Sequence, residues 1–376
     1  MSKIHVNPKL ISTQKDLQRM ADKLLKEPIL SVDTESNSLF AYREQVCLIQ
    51  FSIPEEDYLV DPLALDSLHV LDEVFASPKI EKIFHAAEYD LLTLRRDFEF
   101  DFANLFDTMI AARILGRKRV GLGSLLEEEF NIHLEKKYQR ANWGKRPLPP
   151  AMLKYACLDT HFLIRLRNIL AEEVKRANRW PIAEEDFTRL AQVNGTPPEP
   201  HGVDVWRVSG VYDLEPEQVA ILHQLAAYRE EKAQQLDRPL FKVIGDRTLV
   251  AIAESAPQTL EELGEIKGMT RGQLRRHGKR LLQAVWEGQQ AEPIQRPRNN
   301  HLDDQIVVLL ENMRNWRKLT ARKIGVESDI VLPRDVMEKI AHAQPDNKKD
   351  LAKLMADVPW RYNRYGEDIF QMIREA

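Results

Sequence analysis

Two acidic residues at the end of an apolar run are the first side chains in this sequence suited to chemistry. Asp33 and Glu35 lie two residues apart in ILSVDTESNSLF, residues 29–40. Residues two apart on a strand share a face, so the two carboxylates would lie side by side. Their charges repel and each loses water on burial, so the pair needs a cation or raised pKa values. A turn that ends a strand is the structural alternative, since Asp, Ser and Asn favour turns.

Two later segments contain residues that could join this pair. Asp90 follows the apolar letters KIF in KIFHAAEYDLL, at a predicted strand-to-helix junction. Tyr155 and Asp159 lie four residues apart in KYACLDTHFL, which places them on one helix face. Four carboxylates could converge on divalent cations, and hard oxygen ligands suit Mg²⁺ or Mn²⁺. Two such ions would support in-line displacement at a phosphodiester. For Tyr155 the alternative is an ordinary core position.

The elements around these residues predict a mixed sheet with helices. Three apolar runs, PILSVDTE, QVCLIQFSI and DYLVDPL, follow one another closely enough to indicate an antiparallel meander. EKIFHAAEYDLLTLRRDF and ANLFDTMIAARIL each predict a strand that leads into a helix. GLGSLLEEEF and PPAMLKYACLDTHFLIRLRNILAEEVKRA have helical spacing, with Pro149 and Pro150 at the start of the second.

Two proline-bearing breaks divide the chain into three predicted domains. VNGTPPEPHG spans residues 193–202 and GQQAEPIQRPRNN spans residues 288–300. We predict a mixed-sheet domain over residues 1–195 and two helical domains over residues 203–290 and 298–376.

The two helical segments are similar enough to be copies of one unit. When LAAYREEKAQQLDRPLFKVIGDRTLVAIAES is laid over LLENMRNWRKLTARKIGVESDIVLPRDVMEKIAHA, Asp246 matches Asp335. Further along, Gly278 matches Gly366. Two repeats are too few for a solenoid, so we expect two small domains in series.

Composition limits the classes of function. The chain has 376 residues, 43% of them hydrophobic, and a net charge of −4, which argues against binding nucleic acid or membrane by bulk charge. Its two cysteines, Cys47 and Cys157, are too few for a disulfide framework and are expected in the core. MSKIHVNPKL lacks the apolar core of a secretory signal, and no run is long enough to cross a membrane. We therefore expect a cytoplasmic protein with no membrane partner.

The three acidic motifs together resemble those of the DEDD superfamily of 3′→5′ exonucleases. Tyr155 points to the tyrosine-type subclass. REQVCLIQFS, LFDTMIAARILG and NWGKRPLPPAMLKYACLDT are similar to the ribonuclease D family, and the two C-terminal units resemble its tandem HRDC domains. The resemblance implies an α/β ribonuclease-H-like exonuclease domain, a mixed sheet flanked by helices, followed by two small all-α HRDC-like domains.

The same resemblance implies a function and roles for the acidic residues. It implies a metal-dependent 3′→5′ exoribonuclease that releases 5′-monophosphates with two Mg²⁺ or Mn²⁺ ions. The expected substrates are the 3′ ends of structured RNA such as tRNA precursors, and the expected state is a monomer. By the family pattern Asp33 would bridge both ions, Glu35 and Asp159 would hold the ion that carries the water, and Asp90 would support the other. Tyr155 would orient that water.

Substrate contacts are assigned to several further residues, each of which has a structural alternative. His85 could bind a phosphate, or it could be a satisfied, partly buried histidine. Gln50 could bind substrate or neighbouring backbone, and Leu39, with Phe40, could wedge beside a terminal base or pack in a turn. Basic stretches at 113–119, at 136–146 with Tyr138 and Trp143, and at 264–280 with Arg275 and Arg276 could bind RNA or form solvated faces.

Two rival functions remain open at the level of sequence. A 3′→5′ DNA exonuclease would use the same carboxylates, since the group that recognises a 2′-hydroxyl is not evident. A non-catalytic nucleic-acid-binding protein would keep the fold without the chemistry, although all four carboxylates and the tyrosine are present.

Overall fold

The structure is a computed structural model that describes residues 6–193, 203–297 and 303–375. The predicted boundary at 193–202 lies outside the described residues except for Val193, and the last residues of the break at 288–300 also lie outside them. The described chain forms two compact units. The first contains residues 6–36, 46–193 and 303–375, and the second contains residues 37–45 and 203–297. The last helical segment therefore packs with the N-terminal α/β segment.

A six-stranded mixed sheet forms the centre of the first unit, in the order β1-β4-β3-β2-β5-β6. The predicted antiparallel meander is confirmed, because β3 pairs antiparallel with both β2 and β4. The pairs β1–β4, β2–β5 and β5–β6 are parallel. All eight residues of β3 are buried, as expected for a central strand covered on both faces. The strands are β1 (Lys9–Ile11), β2 (Ile29–Ser36), β3 (Val46–Ile53), β4 (Glu56–Val60), β5 (Glu81–Phe84) and β6 (Leu105–Asp107).

Eight helices accompany the sheet within residues 6–193. They are α1 (Gln14–Leu24), α2 (Asp72–Ala76), α3 (Glu88–Phe98), α4 (Thr108–Ile114), α5 (Leu122–Phe130), α6 (Pro150–His161), α7 (Leu163–Arg176) and α8 (Trp180–Ala191). The predicted start of α6 is confirmed, with Pro149 as its N-cap and Pro150 as its first residue. The long helix expected from there breaks at Phe162, so the sequence forms α6 and α7 instead. Cys47 and Cys157 are free and buried, as predicted.

The two helical segments repeat the same order of five helices. The first contains α9 (Pro216–Leu236), α10 (Leu240–Val243), α11 (Asp246–Ser255), α12 (Leu260–Glu265) and α13 (Arg271–Gln290). The second contains α14 (Asp304–Ile324), α15 (Ser328–Val331), α16 (Arg334–Ala343), α17 (Lys348–Leu354) and α18 (Pro359–Glu375). The opening helices both have 21 residues and the third helices both have 10. The predicted repeat is confirmed by these matching elements. None of the described helices is long and apolar enough to cross a bilayer.

Residues 37–45 pack with the first helical segment. The Tyr42 hydroxyl donates to Glu230, and the Tyr42 backbone N–H donates to Asp237 Oδ1 at 3.0 Å. The Lys242 ammonium lies 3.9 Å from the centre of the Phe40 ring. The connection between β2 and β3 is thus part of the helical unit.

A buried arginine joins the last helical segment to α8. Arg361 has no exposed side-chain surface, and its guanidinium lies 2.9 Å from both Glu185 Oε2 and Asp186 Oδ1. It also donates to the Ile330 carbonyl at 2.9 Å. Burial raises the pKa of Glu185 and of Asp186 even though Arg361 lowers both. The Arg361 cation therefore compensates the charge of both buried carboxylates.

Replacing Arg361 with leucine should destabilise the first unit. Removal of one partner of a buried ion pair leaves an uncompensated charge, which costs about 3–5 kcal/mol of unfolding free energy. Urea titration of Arg361→Leu against the wild type measures the loss. Arg364→Leu, one turn away and exposed, is the control and should change stability by less than about 1 kcal/mol. Equal losses in the two variants would contradict a special role for Arg361.

Candidate active site

Asp33 and Glu35 lie on one face of β2, as their spacing predicts. In the pairing with β3, Asp33 lies opposite Gln50 and Glu35 lies opposite Leu48. The register shifts immediately after Glu35, where Ser36 pairs with Val46. Such an irregularity bends the strand and ends regular pairing. The carboxylates therefore project from the last regular part of the strand.

Asp90 reaches the same site from the first turn of α3. Strand β5, which precedes that helix, runs parallel to β2 and next to it. The Thr34 hydroxyl, between the two acidic residues of β2, donates to Asp90 Oδ1. Asp107 accepts a hydrogen bond from the Ala87 backbone N–H at 2.7 Å, which orients the start of α3. Only 7% of the Asp90 surface is exposed.

Helix α6 contributes Tyr155 and Asp159. The Tyr155 ring packs among Trp143 and Tyr138, with ring centres 6.3 Å and 5.6 Å away. Its side chain therefore contacts a small apolar cluster. It also lies close enough to the carboxylates for their charges to raise its pKa. The core reading and the functional reading of Tyr155 are both compatible with this position.

The four carboxylates interact with one another and hold their protons strongly. Loss of water, then the charges of Asp90, Asp159 and Glu35, raise the pKa of Asp33 well above its usual value. Burial, followed by the charges of Asp159 and Asp90, raises the pKa of Glu35 to about 9. Burial also raises the pKa of Asp90 and of Asp159 to about 7, with Asp107 adding to the first and Asp90 to the second. Because Asp33 senses all three other acids, the four form one electrostatic cluster.

The cluster has no cationic protein partner among the described residues. The ion pairs formed in residues 6–193, 203–297 and 303–375 include none of Asp33, Glu35, Asp90 and Asp159. Oxygen donors with unneutralised charge at one place are the ligands that Mg²⁺ and Mn²⁺ prefer. These residues therefore fit divalent metal ions.

The Tyr155 hydroxyl stays protonated near neutral pH. Burial raises its pKa, and the charges of Asp159 and Glu35 raise it further. A phenol in this setting donates a hydrogen bond and is a poor base.

A cleft of about 600 Å³ adjoins the cluster, and Asp33, Tyr155 and Asp159 line it. Across the cleft lie residues of the segment 119–139, including the exposed Arg119 and Lys136. The same segment also contributes Glu127 and Glu135 to the cleft, and Glu127 pairs with Arg119 at 2.9 Å, so the lining beyond the carboxylates has charges of both signs.

The remaining predicted contacts have different surroundings. His85 lines the cleft, where its Nδ1 lies 2.8 Å from the Thr108 hydroxyl and burial lowers its pKa. Gln50 and Trp143 are buried, and the Gln50 amide and the Trp143 Nε1 have no hydrogen-bond partner within the described chain. Leu39 is 37% exposed and lies in residues 37–45 of the second unit. Substrate contact by each remains a prediction.

The basic stretches divide between arginines that are paired inside the fold and cations at the cleft, where Arg119 forms an exposed ion pair with Glu127 at 2.9 Å. Arg117 pairs with Glu129 and Glu173, and Arg146 makes a two-pronged ion pair with Asp61. These arginines hold the fold together, whereas Arg119 and Lys136 face the cleft. Arg275 and Arg276 are exposed on α13 of the second unit. Sequence reasoning did not identify the contact between His161 Nδ1 and Asp57 Oδ2, which lie 2.8 Å apart, because nothing local links a strand residue to a helix residue far along the chain.

Without metal, wild-type stability should fall as pH rises. The raised pKa values mean that the folded state keeps protons that the unfolded state has lost, so stability falls progressively from about pH 4, the unfolded pKa of a carboxylate, to about pH 7–9. Asp33→Asn removes one of the four mutually repelling carboxylates and should therefore melt at a higher temperature than the wild type at pH 8. Thermal melts at pH 6–9 in chelator test this.

Asp101→Asn provides the matched control, because the Asp101 side chain is 88% exposed. Its melting curve should follow the wild type at every pH. Added Mn²⁺ should raise the wild-type melting temperature at pH 8 more than that of Asp33→Asn. If the melting temperatures of Asp33→Asn and wild type changed equally with pH, the proposed repulsion among the four carboxylates would be contradicted.

Known proteins match both the N-terminal segment and the two helical segments. Residues 8–175 match the 3′-5′ exonuclease family, and residues 218–285 and 308–373 match the HRDC domain. A ribonuclease D of Sphingobium indicum is 27% identical over 372 residues, 97% of this chain and 94% of that protein. A ribonuclease D of Gluconacetobacter diazotrophicus is 31% identical over 268 residues, 71% of this chain and 68% of that protein.

The fold has a solved counterpart. The crystal structure of Escherichia coli RNase D superposes with a TM-score of 0.69 at 24% identity, covering 98% of this chain and 99% of that one. The expected exonuclease domain followed by helical HRDC domains is confirmed. The chain belongs to the ribonuclease D family of 3′→5′ exoribonucleases, whose chemistry uses divalent metal ions.

Proposed function

We propose that this protein removes nucleotides one at a time from RNA 3′ ends and releases 5′-monophosphates, using two Mg²⁺ or Mn²⁺ ions. The observation that carries the proposal is the cluster of four interacting carboxylates with raised pKa values and no basic partner among the described residues. Asp33, which senses the other three, is the candidate to bridge both ions. Glu35 and Asp159 would hold one ion and Asp90 the other.

The chemistry assigned to the cluster is phosphodiester hydrolysis. Divalent ions held there would lower the pKa of a water and stabilise the attacking and leaving oxygens of the displacement. The protein residues orient the reactants. Tyr155, protonated and beside Asp159 and Glu35, would donate a hydrogen bond that orients the nucleophilic water.

The cleft accounts for how an RNA end would enter. Arg119 and Lys136 at its wall suit phosphate contacts, and a single-stranded 3′ end is narrow enough to pass between such side chains. His85, neutral because burial lowers its pKa, is placed on the same cleft to hydrogen-bond the end of the strand.

The preference for structured RNA rests on relatives. The Escherichia coli protein of the same fold is described as an exoribonuclease involved in structured RNA processing. By analogy the substrates include tRNA precursors, and the proposal includes a monomeric protein in the cytoplasm. A DNA exonuclease remains the rival, because no residue of the site is assigned to the 2′-hydroxyl.

We assign RNA binding outside the cleft to α13 of the first HRDC domain. Four of its basic residues are exposed on successive turns: Arg275, Arg276, Lys279 and Arg280. When Gly278 is matched with Gly366, the second domain has Glu367 and Asp368 where the first has Lys279 and Arg280. The second domain therefore lacks this charge and instead contributes packing through Arg361.

A labelled RNA with a single-stranded 3′ tail, compared with the matched DNA, tests the function and its main residue together. The wild type should shorten the RNA stepwise to 5′-monophosphates, stop in chelator and resume with Mn²⁺. Tyr155→Phe should lower kcat on the order of 10²-fold, the range for one positioned catalytic group, with little change in melting temperature.

Tyr138→Phe is the control, since its ring packs edge-on against Tyr155 in the same cluster. It should retain wild-type turnover. Faster hydrolysis of DNA than of RNA would favour the rival, and normal turnover by Tyr155→Phe would return Tyr155 to a packing role.

Neutralising the four basic residues of α13 to glutamine should raise KM for long RNA and reduce its dependence on salt. Each lost phosphate contact lowers the slope of log affinity against log salt by about 0.7–0.9. Turnover on short RNA that reaches only the cleft should stay unchanged. Glutamine at Lys349, Lys353 and Arg364, exposed in the second HRDC domain, provides the control. A wild-type salt slope in the α13 variant would show that this helix is a solvated face.

A further inference from the structure

Three polar residues of the sheet face the C-terminal end of α6. Ser31 of β2 pairs with Ser52 of β3, and Ser52 pairs with Asp57 of β4, so all three lie in one row across the sheet. Cross-strand partners share a face, and this is the face on which Asp33 and Glu35 also lie. Both serines are buried, with at most 1% of their surface exposed. A row of buried polar side chains across three central strands requires partners.

Helix α6 supplies those partners through Thr160 and His161. Ser31 Oγ donates to the Thr160 carbonyl at 2.9 Å, and Ser52 Oγ lies 2.7 Å from Thr160 Oγ1. His161 Nδ1 lies 2.8 Å from Asp57 Oδ2. Thr160 and His161 follow Asp159 directly in the sequence. The row therefore contacts the two residues next to a proposed metal ligand.

Asp57 accepts hydrogen bonds at the end of this row. Ser52 Oγ donates to Asp57 Oδ1 at 2.6 Å and lies 2.7 Å from the Thr160 hydroxyl, which also donates to the Cys157 carbonyl at 3.3 Å. Burial raises the pKa of Asp57, but hydrogen bonds from His161 and Ser52 outweigh it, and the net shift is downward. Asp57 is therefore ionised and accepts from both sides. Hydrogen bonds that are linked in this way polarise one another and favour a single arrangement of their side chains.

The remaining contacts of α6 include a hydrogen bond between the Cys157 thiol and Asp57 and apolar packing. Met152 and Ala156 pack in an apolar cluster with Leu48 and Leu59, and apolar contacts are non-directional. Successive residues of a helix are about 100° apart around its axis. A small rotation of α6 would therefore move Tyr155 and Asp159 away from Asp33. Directional bonds at Thr160 and His161 oppose such a rotation.

We infer that Asp57 is a positioning residue, which through Ser52 and His161 fixes the rotation of α6 and with it the placement of Asp159 and Tyr155 at the metal cluster. This inference rests on the proposed function, because it assigns Asp57 through the roles proposed for those two residues. Hydrogen-bonded partners behind metal ligands commonly affect metal affinity or activity by about 10- to 100-fold.

Asp57→Ala and Ser52→Ala interrupt the chain at two different points. Each should lower kcat by about 10-fold and raise the Mn²⁺ concentration for half-maximal activity, while KM for short RNA stays unchanged. The double variant should lose no more than the worse single variant, since residues that act as one unit are non-additive. Asp57→Asn, which keeps one acceptor oxygen, should recover part of the loss.

Three controls keep the outcome interpretable at a temperature where every variant is folded. Arg361→Leu destabilises the same unit away from α6, so it should leave the half-activating Mn²⁺ concentration unchanged. Asp33→Asn reports on the proposed function itself: if it retains activity, the metal site is wrong. If Asp33→Asn is inactive while Asp57→Ala and Ser52→Ala stay within roughly twofold of wild type in kcat and metal activation, the positioning role is wrong.

Cys157 provides a further discrimination. One ligand atom each from Asp57, Cys157 and His161 lies within 4.8 Å of the others, a set that could hold a metal ion of its own. The positioning role predicts that Cys157→Ala retains activity within roughly threefold, because the helix contacts at Thr160 and His161 remain. A tightly bound, stoichiometric metal that is lost in Cys157→Ala and kept in Asp33→Asn would overturn the inference, since Asp57 would then be a ligand.

Discussion

Repulsion among four carboxylates that share one site constrains the rest of the first unit. The acids come from three elements, β2, α3 and α6, and none has a lysine or arginine partner in the described residues. Without metal they can remain together only by holding protons, which explains pKa values of about 7 to 9. The surrounding structure must therefore hold together a cluster that tends to separate.

The sheet and its neighbouring helices meet this requirement from both sides of the site. Parallel pairing of β2 with β5 sets Asp90 beside the acidic strand, and the Thr34 hydroxyl holds it there. On the opposite side, the hydrogen bonds of Ser31 and Ser52 with Thr160 hold the end of α6. The polar contacts of the site are thus concentrated where apolar packing alone would let charged groups move apart.

Local periodicity was sufficient to predict the acidic pairs but not their surroundings. A strand period of two placed Asp33 and Glu35 on one face, and a helical spacing of four placed Tyr155 above Asp159. The repeat of the helical unit was visible because the two segments can be aligned in sequence, whereas its order of five α-helices came from the structure. In contrast, the contact of Asp57 with His161 and that of Arg361 with Glu185 join residues far apart in the chain. Sequence patterns do not identify such partners, because any acid could pair with any base.

The sequence also could not show which cations of the basic stretches form ion pairs inside the fold. Arg117, Arg119, Lys136 and Arg146 look alike in sequence, yet two of them form ion pairs inside the fold and two face the cleft. Burial decides which cations are free to bind a phosphate, and burial is a property of the tertiary structure. Trp143, expected beside the substrate, is likewise enclosed in the cluster around Tyr155.

The buried Arg361 also bears on the order in which the protein matures during translation. Domains commonly fold from the N-terminus as the chain emerges from the ribosome. Glu185 and Asp186, however, meet their cation only after the chain has been made as far as Arg361, beyond the whole first HRDC domain. The nascent α8 face consequently stays incomplete during that interval. A nuclease assembled in this way reaches its full stability only after its second HRDC domain has been translated.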